Sequence, residues 1–389
     1  MEEVSGFAIA AAEICAELMK LVYLSPVPWA SFSQRPHRFV EWFHARRGGE
    51  VRWVDPYPTR LPEPSDFRRA MAAAGSAIRP STKASAPEWL TVLCPHSLPI
   101  EPLPGSGALN RLLWNNVLQS ICTFVAEGEC MLGIGKPSAL ALQVLARHPA
   151  VPSLYDAMDD FPAFYRGLSR VAMGRREREV AAQVTRISVS STALADWFST
   201  HRSKLALAFN ACAIDNLPPP RMRITDSSRP VLGYVGTIGH WFDWPLVFAL
   251  AESNPSMCIR LIGPIYDLPP RSVPSNIELL PACDHATAIR AMEEFSVGLI
   301  PFKRTDITAS VDPIKFYEYR ALGLPVLSTR FGEMALRDGH AGVFLADEYS
   351  DLASLVITAM AYKCKITEIQ EFRTTNSWEV RFDTSSILP

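Results

Sequence analysis

Lys315 and Glu318 stand three residues apart, on one face of a short segment with marked ends. Residues 310–329 read SVDPIKFYEYRALGLPVLST. Asp312 suits an N-cap and Pro313 the first helical position, which predicts a helix running through Ala321 and Leu322. Gly323 suits a left-handed residue past the helix end, Pro325 blocks continuation, and PVLST predicts a buried strand. A helix N-terminus presents unpaired N–H groups and a partial positive charge, so it can hold phosphate. A cation there, with a carboxylate one turn on, could grip a nucleotide's diphosphate and ribose hydroxyls. The same spacing also suits a solvated ion pair on an ordinary helix.

Two further clusters carry reactive side chains. Gln34, Arg35, His37 and Arg38 crowd one turn after the first predicted strand; a basic surface turn would look the same. Asp156, Asp159 and Asp160 fall within SLYDAMDDFPAFY, where a strand runs into an acidic turn. Neighbouring carboxylates raise one another's pKa, which suits a base working near neutrality. Turn or N-cap roles before FPAFY are the alternatives for Asp156 and Asp160.

Such groups need a scaffold. Strands are predicted at 21–24, 50–54 (EVRWV), WLTVLCP, ECMLGIG, SLYDA and RISVSS, then at VLGYVG, CIRLIG, NIELL and SVGLIPF, with helices between most of them. This alternation predicts an α/β protein with parallel sheets covered on both faces. Ligands of open α/β sheets sit beyond the carboxyl ends of strands, which places the turn at 34–38 well for chemistry. Residues 56–88 read as a long irregular loop. Prolines at 218–220 and the stretch at 227–230 flank a polar connector that marks a domain boundary.

The bulk properties narrow the classes. A chain of 389 residues suits two domains, and at 48% hydrophobic it can fill two cores. A formal net charge of −2 gives no reason to expect nucleic acid as a partner. Eight cysteines show no CxxC pair and no Cys/His zinc spacing, which predicts a reducing compartment and no structural metal. No apolar run is long enough to span a bilayer. The opening MEEVSGFAIAAAEICAELMK starts acidic and is interrupted by Glu13 and Glu17, unlike a secretory signal. It reads as a short amphipathic helix or a dispensable extension, with Met19 as a natural start because MKLVYLSP opens into a strand.

The order of LVYLSP, VLGYVGTIG and PIKFYEYRALGLPVLST resembles that of the GT-B glycosyltransferases, and more closely the bacterial family-4-like (group 1) enzymes that make polysaccharides and lipid-linked glycans. The resemblance covers nearly the whole chain from Met19 and implies two Rossmann-like domains facing across a cleft. The expected division is an extension (1–18), an acceptor-side domain (19–216), a nucleotide-sugar domain (228–365) and a crossover helix (366–389) containing SWEVRF. It implies that Gly236 and Thr237 approach the donor diphosphate, that Lys315 contacts phosphate, and that Glu318 binds the ribose. Many retaining members carry a sugar-touching glutamate eight positions before the ribose glutamate; here that position is Ser310, counted with the donor site. The glycine-rich loop after the first strand is replaced by SQRPHRF.

Tyr155, Ala157 and Asp159 fit the Tyr-x-Ala-x-Asp pattern of inverting members, making Asp159 the expected base, with Asp156 and Asp160 behind it. His37 is a second candidate base, or it orients an acceptor phosphate with Arg35 and Arg38. His240 keeps a minor claim beside the phosphate turn, while His285 is expected at the surface or in packing. Trp241, Phe242 and Trp244 are expected mainly in the core, although stacking on a base is open to them. The resemblance implies a nucleoside-diphosphate sugar donor, a glycan or lipid-linked acceptor, no metal or other cofactor, and a cytoplasmic location. A peripheral contact with the inner face of the membrane would use Trp29, Phe32, Arg35, Arg38, Trp42 and Phe43. The rival expectations are a nucleotide-sugar 2-epimerase of the same fold and a non-catalytic partner subunit. An NAD-dependent dehydrogenase is disfavoured because no GxGxxG follows a strand.

Overall fold

A computed structural model describes residues 18–61, 86–221 and 229–389. The extension at 1–17, most of the proline-rich loop and the connector at 222–228 lie outside the described residues.

The first half forms a seven-stranded sheet of β1 (Met19–Leu24), β2 (Gly48–Val54), β3 (Leu90–Leu93), β4 (Cys130–Ile134), β5 (Ser153–Ala157), β6 (Arg186–Val189) and β7 (Leu205–Leu207). Their spatial order is β3-β2-β1-β4-β5-β6-β7, with every pair parallel. The second half repeats the pattern with β8 (Val231–Val235), β9 (Cys258–Ile262), β10 (Ile277–Leu280), β11 (Val297–Ile300), β12 (Val326–Thr329) and β13 (Val343–Ala346), ordered β10-β9-β8-β11-β12-β13. Parallel strands joined by helical crossovers are covered on both faces, which explains runs such as MKLVYL and VLGYV that do not alternate with polar residues. Val22 and Ile134 pack on one face of the first sheet, Leu21 and Tyr23 on the other with Phe39 and Trp53. In each sheet the order reverses beside its first strand, between β1 and β4 and between β8 and β11, and ligand crevices form at that point.

The short strands β7 and β13 close one edge of each sheet and were not expected from the sequence. Three- and four-residue edges carry too little periodicity to declare themselves. The helix expected after Asp312 spans Ile314–Ala321, and Gly323 takes the left-handed conformation at φ 74°. Asp312 does not cap it. Pro313 is the N-cap, and the Asp312 carboxylate instead pairs with Arg337 at 2.6 Å.

The chain crosses between the domains twice, side by side. Cys212 of the linker bridges Ser377, and its N–H donates to the Asn376 carbonyl at 3.0 Å. The helix Trp378–Thr384 then packs on the first domain, with Phe382 edge-on to Phe39 and Trp42 Nε1 donating to Asp383 at 2.9 Å. Among the described residues, no helix is long and apolar enough to cross a membrane.

Candidate functional site

At the carboxyl end of β8 the chain turns through Gly236 and Thr237, both half-buried. The Tyr234 hydroxyl donates to the Thr237 carbonyl at 2.9 Å and holds this turn. Gly236 lies so close that an added Cβ would stand 2.7 Å from the Tyr234 hydroxyl oxygen. The helix Ile314–Ala321 docks beneath the same strand, because the Val235 N–H donates to the Tyr319 hydroxyl at 3.3 Å. That contact ties the phosphate turn to the Lys–Glu helix.

Lys315 Nζ lies 2.5 Å from Glu318 Oε2. Burial alone would raise the Glu318 carboxyl; Lys315 beside it and the hydrogen bond from His285 outweigh that and hold it at about 2. Glu318 is therefore an anion across the physiological range, although only 7% of its surface is exposed. Its free acceptor capacity suits a vicinal diol, and the neighbouring ammonium suits a phosphate. His285 Nε2 stands 3.4 Å from Glu318 Oε1 and completes the group, whereas its sequence context suggested only surface or packing. The available signal was Asp284, which caps the helix His285–Glu293 through the Thr287 N–H and presents His285 at that helix's first position. Lys303 was also overlooked. It follows β11, and its Nζ donates to the His240 carbonyl at 3.0 Å. The His240 imidazole is held low first by partial burial, with Asp267 opposing and Lys303 and Arg166 adding. Arg166 comes from the other domain, so His240 faces the first domain.

The three aspartates in and after β5 separate into three roles. Asp156 lies on the strand itself, in a buried ion pair, which is none of the roles expected for it (reserve base, turn residue or N-cap). Asp160 caps the short 3-10 turn Phe161–Phe164 by accepting from the Ala163 N–H at 3.3 Å. The Asp159 carboxylate has no hydrogen-bond partner among the described residues. The side chain is half-buried and partly open to solvent. Burial raises its pKa to about 7, with Arg35 opposing and Asp160 and Asp156 adding. A carboxyl with that pKa, unpaired and accessible, is suited to accept a proton near neutrality.

Both domains line a cavity of about 600 Å³, including Asp160, Arg170 and Trp197 from the first and Asp306 and Ser310 from the second. Arg170 reaches Asp306 across it at 3.5 Å. Ser310 is 7% exposed, and its hydroxyl has no hydrogen-bond partner among the described residues.

The basic turn differs from expectation. Arg35 is fully buried; its Nη2 lies 2.8 Å from Asp156 Oδ1 and 3.0 Å from Ser188 Oγ, while Nη1 donates to the Ala208 carbonyl at 2.6 Å. It therefore has no face left for an acceptor. His37 is also buried, with Nδ1 accepting from the Gln34 N–H at 3.2 Å and Nε2 against the Trp29 carbonyl at 3.1 Å. Burial pushes its imidazole below the usual range, and both nitrogens are engaged, which removes it as a base. Arg38 pairs with Glu41 at 2.9 Å along its own helix. Trp42 and Phe43 belong to the core with Arg35, which leaves Phe32 as the exposed apolar residue of the proposed membrane-facing group. Phe242 and Trp244 are core residues as well.

Removing one member of a buried ion pair strands the other charge at a cost of about 3–5 kcal/mol. Arg35→Met is expected to destabilise the protein by about that amount in urea unfolding, and Arg35→Met with Asp156→Leu to recover most of the loss. Equal losses in the single and double variants would contradict the pairing.

No protein-family model and no curated protein sequence matches the chain. Solved structures do. The chain is similar to Anabaena Alr3699/HepE in complex with UDP, with a TM-score of 0.56 at 12% identity over 94% of this chain and 97% of that one. It is similar to the UDP-forming α,α-trehalose-phosphate synthase of Burkholderia vietnamiensis, with a TM-score of 0.57 at 11% identity over 95% of each chain. It is also similar to AviGT4, a glycosyltransferase involved in avilamycin A biosynthesis, with a TM-score of 0.57 at 11% identity over 93% of this chain and 94% of that one. The chain has the GT-B fold: two Rossmann-like domains with parallel sheets, as in these neighbours.

Proposed function

We propose that this protein is a glycosyltransferase that moves a sugar, with inversion, from a nucleoside-diphosphate donor to a hydroxyl of a glycan or lipid-linked glycan acceptor. The observation that carries the proposal is the pairing of chemistries at the carboxyl ends of the two sheets. Lys315, Glu318 and His285 form a cation–anion group on one side, and on the other lies the Asp159 carboxyl, with a pKa of about 7 and no hydrogen-bond partner among the described residues.

The donor diphosphate sits at the Gly236–Thr237 turn and Lys315, and the ribose hydroxyls donate to Glu318. Asp159 takes the proton of the acceptor hydroxyl as that oxygen attacks the anomeric carbon. The bond from that carbon to the diphosphate oxygen breaks, and its electron pair leaves with the nucleoside diphosphate. Lys315 and the backbone N–H groups of the turn stabilise the charge that develops there. No residue is assigned to a metal. Ser310 lies beside the sugar, and the cavity between the domains admits the acceptor. The work fits cell-surface polysaccharide synthesis in the cytoplasm, with any membrane contact made by fewer residues than the sequence suggested.

HepE has been solved with UDP and with UDP-glucose, which makes uridine donors the first to try. A thermal-shift panel of UDP-, GDP- and dTDP-linked sugars tests the proposal. At least one donor is expected to raise the melting temperature by several degrees; no response to any of them counts against donor binding. A donor processed without acceptor to a new nucleotide sugar would point to the epimerase instead.

A further inference from the structure

Asp156 and Asp312, one carboxylate in each domain, are joined by a continuous chain of buried polar groups. The Arg35 guanidinium that holds Asp156 also lies 3.5 Å from Asn210 Oδ1 through Nη1. Asn210 belongs to the linker between the domains. Its backbone N–H donates to Asp312 Oδ2 at 2.7 Å, and its Nδ2 donates to the Asp312 carbonyl at 2.6 Å. The Asp312 carboxylate is completed by Arg337 Nη2 at 2.6 Å and the Tyr317 hydroxyl at 2.9 Å. Arg35, Asp156, Asn210, Asp312 and Arg337 are all buried.

The two ends of this chain lie at the two halves of the site. Asp156 stands three residues before Asp159, and the Met158 N–H donates back to the Asp156 carbonyl at 3.0 Å, so the base turn departs from a fixed point. Asp312 stands three residues before Lys315, and Tyr317 lies on the donor helix between Lys315 and Glu318. Apolar contact between domains is non-directional and lets them slide. Buried charges must keep their partners and geometry, because losing one leaves a desolvated charge unpaired.

We infer that Arg35, Asn210 and Asp312 form a buried tie that sets the separation of Asp159 from the Lys315–Glu318 pair. All three are positioning residues and touch neither substrate. The effect on rate rests on the proposed sugar transfer, whereas the tie itself is a property of the fold. Asn210 is the place to cut it. It is uncharged, and Arg35 with Asp156 and Asp312 with Arg337 remain paired on either side when its side chain is removed.

The test is hydrogen–deuterium exchange of wild type, Asn210→Ala and the near-isosteric Asn210→Leu, without ligand. Exchange is expected to rise about tenfold in residues 156–161 and in residues 312–322 together. A rise confined to the linker at 208–213, or to one domain alone, overturns the tie. If the wild type transfers sugar, the variants are expected to lose about tenfold in kcat while donor KM stays within about twofold. A kcat equal to wild type, or a loss carried by KM alone, overturns the positioning role. A wild type that binds no donor would refute the proposed function, and the exchange result would still decide the tie.

Discussion

Lys315→Ala is expected to weaken binding of the nucleotide-sugar donor by about 30- to 150-fold, the equivalent of losing about 2–3 kcal/mol of charge-assisted hydrogen bonding. Isothermal titration with the responding donor measures it. The affected atoms make the pattern specific. Lys315 is assigned to the diphosphate, so affinity for the free nucleoside should stay within about twofold while the donor is lost. Glu318→Ala removes the ribose contact and should weaken nucleoside and donor alike. Both variants should fold, because Lys315 is partly exposed and can be hydrated when Glu318 is gone, and His285 still partners Glu318 when Lys315 is gone. Equal losses of nucleoside and donor in Lys315→Ala would remove its phosphate assignment.

Asp159→Asn should lower the transfer rate by about 10²- to 10⁴-fold while leaving donor affinity within about twofold, since an amide cannot take the acceptor proton. The wild-type rate should fall on the acid side with a midpoint near pH 7, where Asp159 protonates, and that limb should vanish in the variant. Stability should change in the opposite direction to activity. The Asp159 pKa is raised in the fold, to about 7 from an ordinary 3.8. The folded state therefore binds more protons between those values, and the group's contribution to stability is present below about pH 4 and lost as pH rises through 7. Above pH 7 the ionised carboxylate is a burden, so Asp159→Asn should gain melting temperature relative to wild type at pH 8 and not at pH 4. An unchanged rate, or a variant less stable than wild type at pH 8, would contradict the assignment.

The sequence carried the repeated strand–helix rhythm because buried parallel strands are apolar throughout, and the segment at 310–329 was legible because Gly323 and Pro325 punctuate its end. The Lys315–Glu318 pair followed from helical spacing alone. Asp159 was singled out of three aspartates by its resemblance to the Tyr-x-Ala-x-Asp pattern of inverting members; its lack of a partner among the described residues required the structure, where Asp160 turns out to be a cap and Asp156 half of an ion pair. Arg35 shows where local reading fails. A basic turn ordinarily reads as surface, and the partner that buries this one lies 121 residues away. Asp312 fails for the same reason: its position favours an N-cap, but Arg337 and Asn210 claim the carboxylate. His285 joins Glu318 only because the helices His285–Glu293 and Ile314–Ala321 converge, and no spacing within the chain records that.

The most direct test of the nucleotide site is a crystal structure of the protein soaked with UDP. The diphosphate is expected within hydrogen-bond reach of Lys315 Nζ and the N–H groups of Gly236 and Thr237, with the ribose hydroxyls on Glu318. UDP bound anywhere else, or a site left empty at saturating UDP, would contradict the assignment of this helix as the donor clamp.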